Sequence, residues 1–551
     1  MMQRCKYIAL IAVIICMNRG LQAQSSDLSL DDHRPNIVWI VCEDMSPHLS
    51  TFGEKTINTP HLDQLARDGI RFTHAYTVAG VCAPSRSALI TGMYPTKTGA
   101  NNMRTLSAPP GPVPDYVPAP YSVVLPPYVK GFPEYLRAAG YYCTNNAKQD
   151  YQFQAPVTIW DESSTKAHWR NRPGGKPFFA VFNLGITHEA QIWERAGEPL
   201  LVNPSDVQVP PYYPDIPEVR QDIARHLTNV IKMDQQAGAI IQQLKDDGLY
   251  DSTIVFFYSD HGDGLPYVKR EVLKRGLHIP LIVKLPGKRS AGAVNKELIS
   301  SLDLPATILS LAGIPVPAYM DGQAFLGAQR SEKMRKYVFA GRDRMDTEVD
   351  RVRTLMDTAF QYIRNYMPDK PGYQDALYRL QMPMMKRMKN MRDSGLLNPD
   401  AMAWFKTSKP REELYDLKND PYELKNLAND KRYKRKLEEL RAVYNEWYEQ
   451  TGDRAIVPEL QMLTREMWGG EKEPPVTEPP QVIKVDGGIL IRCATAGASI
   501  GYKINATEAD AKGTGGWSLY RYQYIPLKKG DRITIKAQRI GYTESMATFT
   551  F

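Results

Sequence analysis

The chain has 551 residues, of which 43% are hydrophobic and 24% charged, and its formal net charge is +8. That composition excludes a disordered or fibrous protein and leaves length for two or three domains. No Lys/Arg block interleaved with aromatics appears, so nucleic acid is not an expected partner, while the mildly basic balance suits an acidic substrate.

Met1 to Ala23 reads as a secretory leader: Arg4 and Lys6, an apolar run from Tyr7 to Met17, then Leu21-Gln22-Ala23 as a small-residue cleavage site. The run is too short for a bilayer and no later segment resembles a membrane span. An exported protein, periplasmic or secreted, is therefore expected. Cys5 and Cys16 leave with the leader. Cys42, Cys82, Cys143 and Cys493 are too few for a disulfide scaffold, and with Cys82 set aside at least one must be a free thiol.

Asn36-Ile37-Val38-Trp39-Ile40-Val41 is a continuous apolar run of the kind buried on both faces of a parallel sheet. Glu43 and Asp44 follow at its carboxyl end, as a helix N-terminal charge pair or as metal ligands; the local sequence leaves both open. Asn58 to Ala66 begins a helix, with Thr59 as cap and Pro60 at the first position. Val81-Cys82-Ala83-Pro84-Ser85-Arg86 then opens an apolar helical run that ends at Gly92. A thiol at a helix N-terminus is acidified by the unpaired N–H groups, and Arg86 one turn on can fork onto an oxyanion. Taken alone, this is a nucleophile beside an anion cradle, or a buried structural Cys.

Ala108 to Pro127, rich in Pro and Tyr, should be an irregular surface loop. Phe132 to Ala139 is helical, and the strand Gly140 to Thr144 runs into Asn145 to Asp150, which carries Lys148. Pro177 to Leu184 is a second buried strand, with His188 just beyond it. Glu218 to Gly248 reads as a long amphipathic helix with Met233 in its core face. Ser252 to Tyr258 is a third buried strand, tipped by Asp260 and His261. Three strands thus end in Glu43/Asp44, His188 and Asp260/His261, all on the sheet edge that faces Cys82. Lys269 and a capped helix at Ser301 to Leu309 follow.

The expected division is a catalytic α/β domain at 24–330, an α+β subdomain at 331–470, a Pro-rich linker at 471–481 and an accessory β-module at 482–551. Arg342, Asp343 and Arg344 form a charged run, read as a surface ion-pair network or as a fork reaching a ligand carboxylate, as of a uronate, or another oxyanion. In the last module, Trp517 and Tyr520 are candidates for stacking on sugars.

The string Cys82-Ala83-Pro84-Ser85-Arg86, continued by Leu89, Thr91 and Gly92, resembles the signature of the type I sulfatases. Asn58 to Ala66, Lys148, His188, Asp260-His261 and Lys269 match further motifs of that family. The resemblance implies an alkaline-phosphatase-like α/β fold: a mixed, mostly parallel sheet between helices, a smaller α+β subdomain and an appended small β-sandwich. It implies that a maturation enzyme oxidises Cys82 to formylglycine, whose hydrated aldehyde offers one hydroxyl to attack sulfur and another to expel sulfate. One divalent ion, Ca2+ by resemblance, would be held by Glu43, Asp44, Asp260, His261 and residue 82. Arg86, Lys148 and Lys269 would neutralise the sulfate oxygens, and His188 would protonate the leaving oxygen.

Two positions depart from the common pattern: Glu43, where many relatives carry Asp, and Asp150, where a His usually stands two residues after the Lys. Gly262 to His278 and Arg342 to Asp346 resemble the branch of N-sulfoglucosamine sulfohydrolases and bacterial sulfatases of uronic-acid polysaccharides. The implied substrate is a sulfated glycan, heparin-like or ulvan. N-sulfate cleavage, phosphoester or phosphonate hydrolysis on the same fold, and non-catalytic glycan binding are the alternatives. Ala498 to Tyr502, Trp517 to Tyr520 and Gly541-Tyr542 resemble the small β-sandwich appended to chitobiase-type hexosaminidases.

Overall fold

Strand β1 (Asn36–Cys42) divides its apolar run between two cores. Val38 and Ile40 enter one, while Ile37, Trp39 and Val41 enter the other. Successive strand side chains point to opposite faces, so a run without polar alternation is what a doubly covered strand requires. The computed structural model describes residues 34–454 and 456–551; the leader read at 1–23 lies outside them.

The large sheet adds β2 (Ile70–Tyr76), β3 (Tyr142–Asn146), β4 (Glu162–Ser163), β5 (Phe178–Leu184), β6 (Thr253–Ser259), β7 (His278–Lys284) and β8 (Ala293–Ser300), in the order β4-β3-β5-β1-β6-β7-β2-β8. The five strands β4 to β6 in that order run parallel, and β7 is antiparallel to both its neighbours. Cys42 lies opposite Leu184 on one side and Ser259 on the other. The carboxyl ends of β5, β1 and β6 are therefore level, at the edge where open α/β sheets bind ligands.

The helix Pro217–Asp246 covers one face, burying Ile223, Leu227, Val230, Met233, Ala237 and Leu244 in the first core. Met233 is fully buried, as the sequence pattern requires. Part of the segment expected as a surface loop is packed: Tyr121, Val123 and Leu125 lie in the second core. Among the described residues all four cysteines are free thiols.

A second sheet, β9 (Val338–Arg342), β10 (Val352–Met356), β11 (Phe360–Asn365) and β12 (Glu412–Asp416), is wholly antiparallel. The helix Lys434–Thr451 packs on it through Leu437, Leu440 and Tyr444. The following turn returns to the large sheet, placing Met462, Leu463 and Met467 in its second core.

The C-terminal residues form a three-stranded and a four-stranded antiparallel sheet around Ile489, Ile491, Ile500, Ile533 and Ile535. This module is docked on the large domain. Lys130 Nζ donates to the Gly497 carbonyl at 2.7 Å and to Ser499 Oγ at 2.8 Å, and Ser499 Oγ donates to Glu134 at 2.8 Å. Sugar stacking by Trp517 and Tyr520 is overturned here. Both rings are buried; Lys503 and Lys536 cover Trp517, and the Tyr520 hydroxyl accepts the Ile491 N–H.

Candidate active site

Asp44 is the pivot of the cluster at the strand ends. Its backbone sits in the left-handed region at φ 51°, which a short polar side chain tolerates better than most. Its N–H donates to Asp260 Oδ1 at 3.1 Å, tying the end of β1 to the end of β6. Its Oδ2 accepts the Glu189 N–H at 2.7 Å and Lys269 Nζ at 2.5 Å. A Cβ at Gly264 would fall 2.9 Å from that same oxygen, so only glycine permits this approach.

Cys82 is the first residue of the helix Cys82–Thr91. Its Sγ lies 3.2 Å from His261 Nε2 and 3.7 Å from Asp44 Oδ1. Burial alone would raise the thiol, but Lys148 and Lys269 draw it down to about 7. Ser85 Oγ donates to the Asp260 carbonyl at 2.7 Å and so fastens the helix to β6. Arg86 Nε donates to Asp260 Oδ2 at 3.0 Å and Nη1 to Asn183 Oδ1 at 2.7 Å. Its Nη2, 3.7 Å from Glu43 Oε1, is buried with no hydrogen-bond partner.

Lys148 Nζ donates to Glu43 Oε2 at 2.8 Å. His261 Nδ1 lies 2.8 Å from the Gly262 carbonyl and its Nε2 3.0 Å from Asp44 Oδ1, so both ring nitrogens face acceptors. Burial opposes the imidazole's charge, but Asp260 and Asp44 raise its pKa well above the ordinary value. His188 follows the turn Gly185–Thr187 at the end of β5. Burial and Lys269 work against its charge, yet Asp44 and Cys82 raise its pKa overall. Burial likewise opposes the Asp44 and Asp260 charges. Lys269, His188 and His261 around Asp44, and His261 and Arg86 beside Asp260, hold both carboxyls below their ordinary value.

Two overlapping groups result, Glu43/Asp44/Cys82/His188 and Asp44/Cys82/Asp260/His261, each with its ligand atoms within 4.8 Å of one another. Carboxylate oxygens with one imidazole nitrogen fit a hard divalent cation. Three carboxylates faced by Arg86, Lys148 and Lys269 leave the pocket close to neutral, so it can accept a cation together with an anion.

Sequence reasoning missed the layer behind these residues. Arg270 forks onto Glu189 at 2.6 and 2.9 Å, and Glu189 also lies 2.9 Å from Lys269. The only local signal is adjacency: Glu189 follows His188 and Arg270 follows Lys269, but nothing in either segment pairs the two. Arg342, Asp343 and Arg344 lie elsewhere. Arg342 pairs with Glu271 and Asp350, Asp343 with Arg353, and Arg344 with Glu459, and all three are at most 4% exposed. The substrate-facing reading of this run gives way to an internal ion-pair network.

A low-pKa thiol among carboxylates and fixed cations, at the carboxyl edge of this alkaline-phosphatase-like sheet, is an arrangement suited to hydrolysing anionic esters. The Sulfatase family model matches residues 35–166 and 145–314, and the N-sulphoglucosamine sulphohydrolase C-terminal model matches 262–393. An ulvan-active sulfatase of Formosa agariphila is 41% identical over 99% of this chain and 97% of its own length. Human N-sulphoglucosamine sulphohydrolase is 26% identical over 77% and 92%. Two solved structures share the fold: a 2-O GAG sulfatase (TM-score 0.56, 21% identity, 77% of this chain and 93% of that one) and the phosphonate monoester hydrolase of Agrobacterium radiobacter (0.56, 17%, 77% and 97%). The chain belongs to the sulfatase family and is a sulfuric ester hydrolase.

Proposed function

We propose that this enzyme is exported and removes sulfate from a uronic-acid-containing carbohydrate such as ulvan or a heparin-like glycan. Residue 82 is the nucleophile position, matured to formylglycine by a separate enzyme. The observation that carries the reading is the meeting of Cys82, Asp44, Asp260 and His261 within 4.8 Å, with Arg86, Lys148 and Lys269 around them.

Glu43, Asp44, Asp260, His261 and residue 82 would hold one Ca2+, which, when bound, adds positive charge opposite the sulfate oxygens. Formylglycine supplies a geminal diol, so that one carbon offers both an attacking and an expelling hydroxyl. Arg86, Lys148 and Lys269 bind and orient the sulfate group and stabilise charge that spreads over its oxygens. Arg86 also favours the deprotonated state of the attacking hydroxyl. His188, at the open side of the pocket, holds the proton that the sugar oxygen needs as it leaves.

The sulfated carbohydrate is supported by the relatives' own substrates, and export by the Met1 to Ala23 leader pattern. No helix among the described residues is long and apolar enough to cross a membrane. The match of 262–393 to the N-sulphoglucosamine sulphohydrolase model favours N-sulfate cleavage as the second reading. Sulfate release from ulvan and heparin oligosaccharides of defined sulfation tests both, with mass spectrometry of the residue 82 peptide for the aldehyde. An unmodified thiol in fully active enzyme would sink the formylglycine assignment.

A further inference from the structure

His188 is half-buried, and the half-buried side chains grouped beside it share a chemistry. The Tyr378 ring lies 6.4 Å from the His188 ring and 5.3 Å, edge to face, from Trp193. The Arg104 guanidinium sits over the Tyr378 ring, 5.2 Å from its centroid. All four residues are half-buried, unlike the sealed cradle that holds Cys82 and Asp44. Tyr378 is carried by the short turn Leu377–Gln381, whose next residue, Arg379, is buried against Tyr373 and Trp404 and anchors it.

Arg104 commits one nitrogen: Nε donates to Asp346 Oδ1 at 2.7 Å. Its two terminal nitrogens, the Tyr378 hydroxyl and Trp193 Nε1 have no hydrogen-bond partner among the described residues. A guanidinium fixed through Nε, with its outer fork free, matches two oxygens of a carboxylate or sulfate. Aromatic faces beside it match the apolar face of a pyranose.

We propose that Arg104, Tyr378 and Trp193 form the recognition subsite for the glycan around the scissile sulfate, the two rings packing on a sugar and Arg104 binding a second oxyanion on it. This rests on the carbohydrate reading above and adds what selects the substrate. A uronate carboxylate and a second sulfate present the same pair of oxygens, and the test separates them.

Sulfate release is measured on a disulfated disaccharide containing a uronate, its carboxyl-reduced form, its monosulfated form and p-nitrophenyl sulfate. Arg104→Ala should lower kcat/KM on the first at least about tenfold more than on p-nitrophenyl sulfate, the loss expected for a charged hydrogen bond. If the extra loss disappears on carboxyl reduction, the carboxylate is the ligand; if it disappears only on the monosulfated form, the second sulfate is. An extra loss that survives both changes overturns the anion role. Tyr378→Ala, read the same way, keeps the test open should Arg104→Ala fail to fold, and equal losses on every probe in both variants overturn the subsite. Wild-type enzyme that turns over p-nitrophenyl sulfate but no saccharide would sink the carbohydrate reading itself.

Discussion

Lys269 separates what this site needs for folding from what it needs for turnover. Its Nζ is buried between Asp44 Oδ2 and Glu189 Oε1, the second at 2.9 Å. At an effective dielectric of ~20, unit charges at that distance attract by ~6 kcal/mol, and desolvation takes back several of these. Lys269→Met leaves Asp44 and Glu189 facing each other, with Arg270 still forked on Glu189. We expect a stability loss of about 3 kcal/mol, the order found when one partner of a buried pair is removed. We also expect turnover of p-nitrophenyl sulfate to fall by about a hundredfold or more, as for other fixed charges that face a transition state. Adding Glu189→Gln restores the local charge balance of Arg270 against Asp44, although Arg270 then faces an amide in place of the carboxylate on which it forks. The double variant should regain part of the stability, read by thermal or urea unfolding, and none of the activity. A double variant that recovers both would show that Lys269 only balances charge, and the sulfate-binding role would be wrong.

Three further outcomes follow from the same geometry. His188→Ala should slow release from a sugar alcohol by about a hundredfold or more, yet affect p-nitrophenyl sulfate far less, because nitrophenolate leaves without a proton; equal losses on the two would remove His188 as the acid. Chelation should abolish activity and lower the melting temperature, and Ca2+ should restore both, with Asp260→Asn requiring more of it; a chelated enzyme with an unchanged melting temperature would argue against the ligand set. Asp222, buried where it accepts the Met384 N–H at 2.7 Å, is raised from 3.8 to about 7 by burial. The folded state therefore binds this proton more tightly than the unfolded chain, and stability falls as pH rises from about 4 to about 7, by at most ~4 kcal/mol. Asp222→Asn should gain on the wild type at pH 8 relative to pH 5 in paired unfolding curves, and a gap that does not change with pH would refute the assignment.

The parts legible in the sequence are those whose cause is local. The runs at Asn36, Pro177 and Ser252 had to be doubly covered strands because they lack polar alternation, and the residues just beyond them had to share an edge once the strands were parallel. The Cys82 helix start was set by its own few residues. Pairings that depend on the finished fold were not legible: Arg270 meets Glu189 across 81 residues, and nothing in either neighbourhood names the other. The left-handed turn at Asp44 has no sequence signal beyond a residue type that tolerates it. The Pro- and Tyr-rich segment after Ala108 has the composition of a loop, but Tyr121, Val123 and Leu125 are enlisted by the second core, a tertiary effect. Trp517 was hidden likewise: a large aromatic on a small module neighbouring the large domain can face a ligand or be covered, here by Lys503 and Lys536.

That neighbour reaches further inward than its position at the tail suggests. Ser499 and the Trp517 carbonyl are partners of Glu134 and Arg137, on the helix Pro133–Ala138. Phe132, at the start of that helix, rests against Trp39 of β1 at a ring separation of 5.4 Å. A chain cut at the proline-rich stretch would keep every residue of the candidate site but carry a raw flank, with Glu134 left to Thr158 and Arg137 to Asp161 one packing layer from the central strand. The C-terminal module is thus packed as a buttress against the wall behind the central strand.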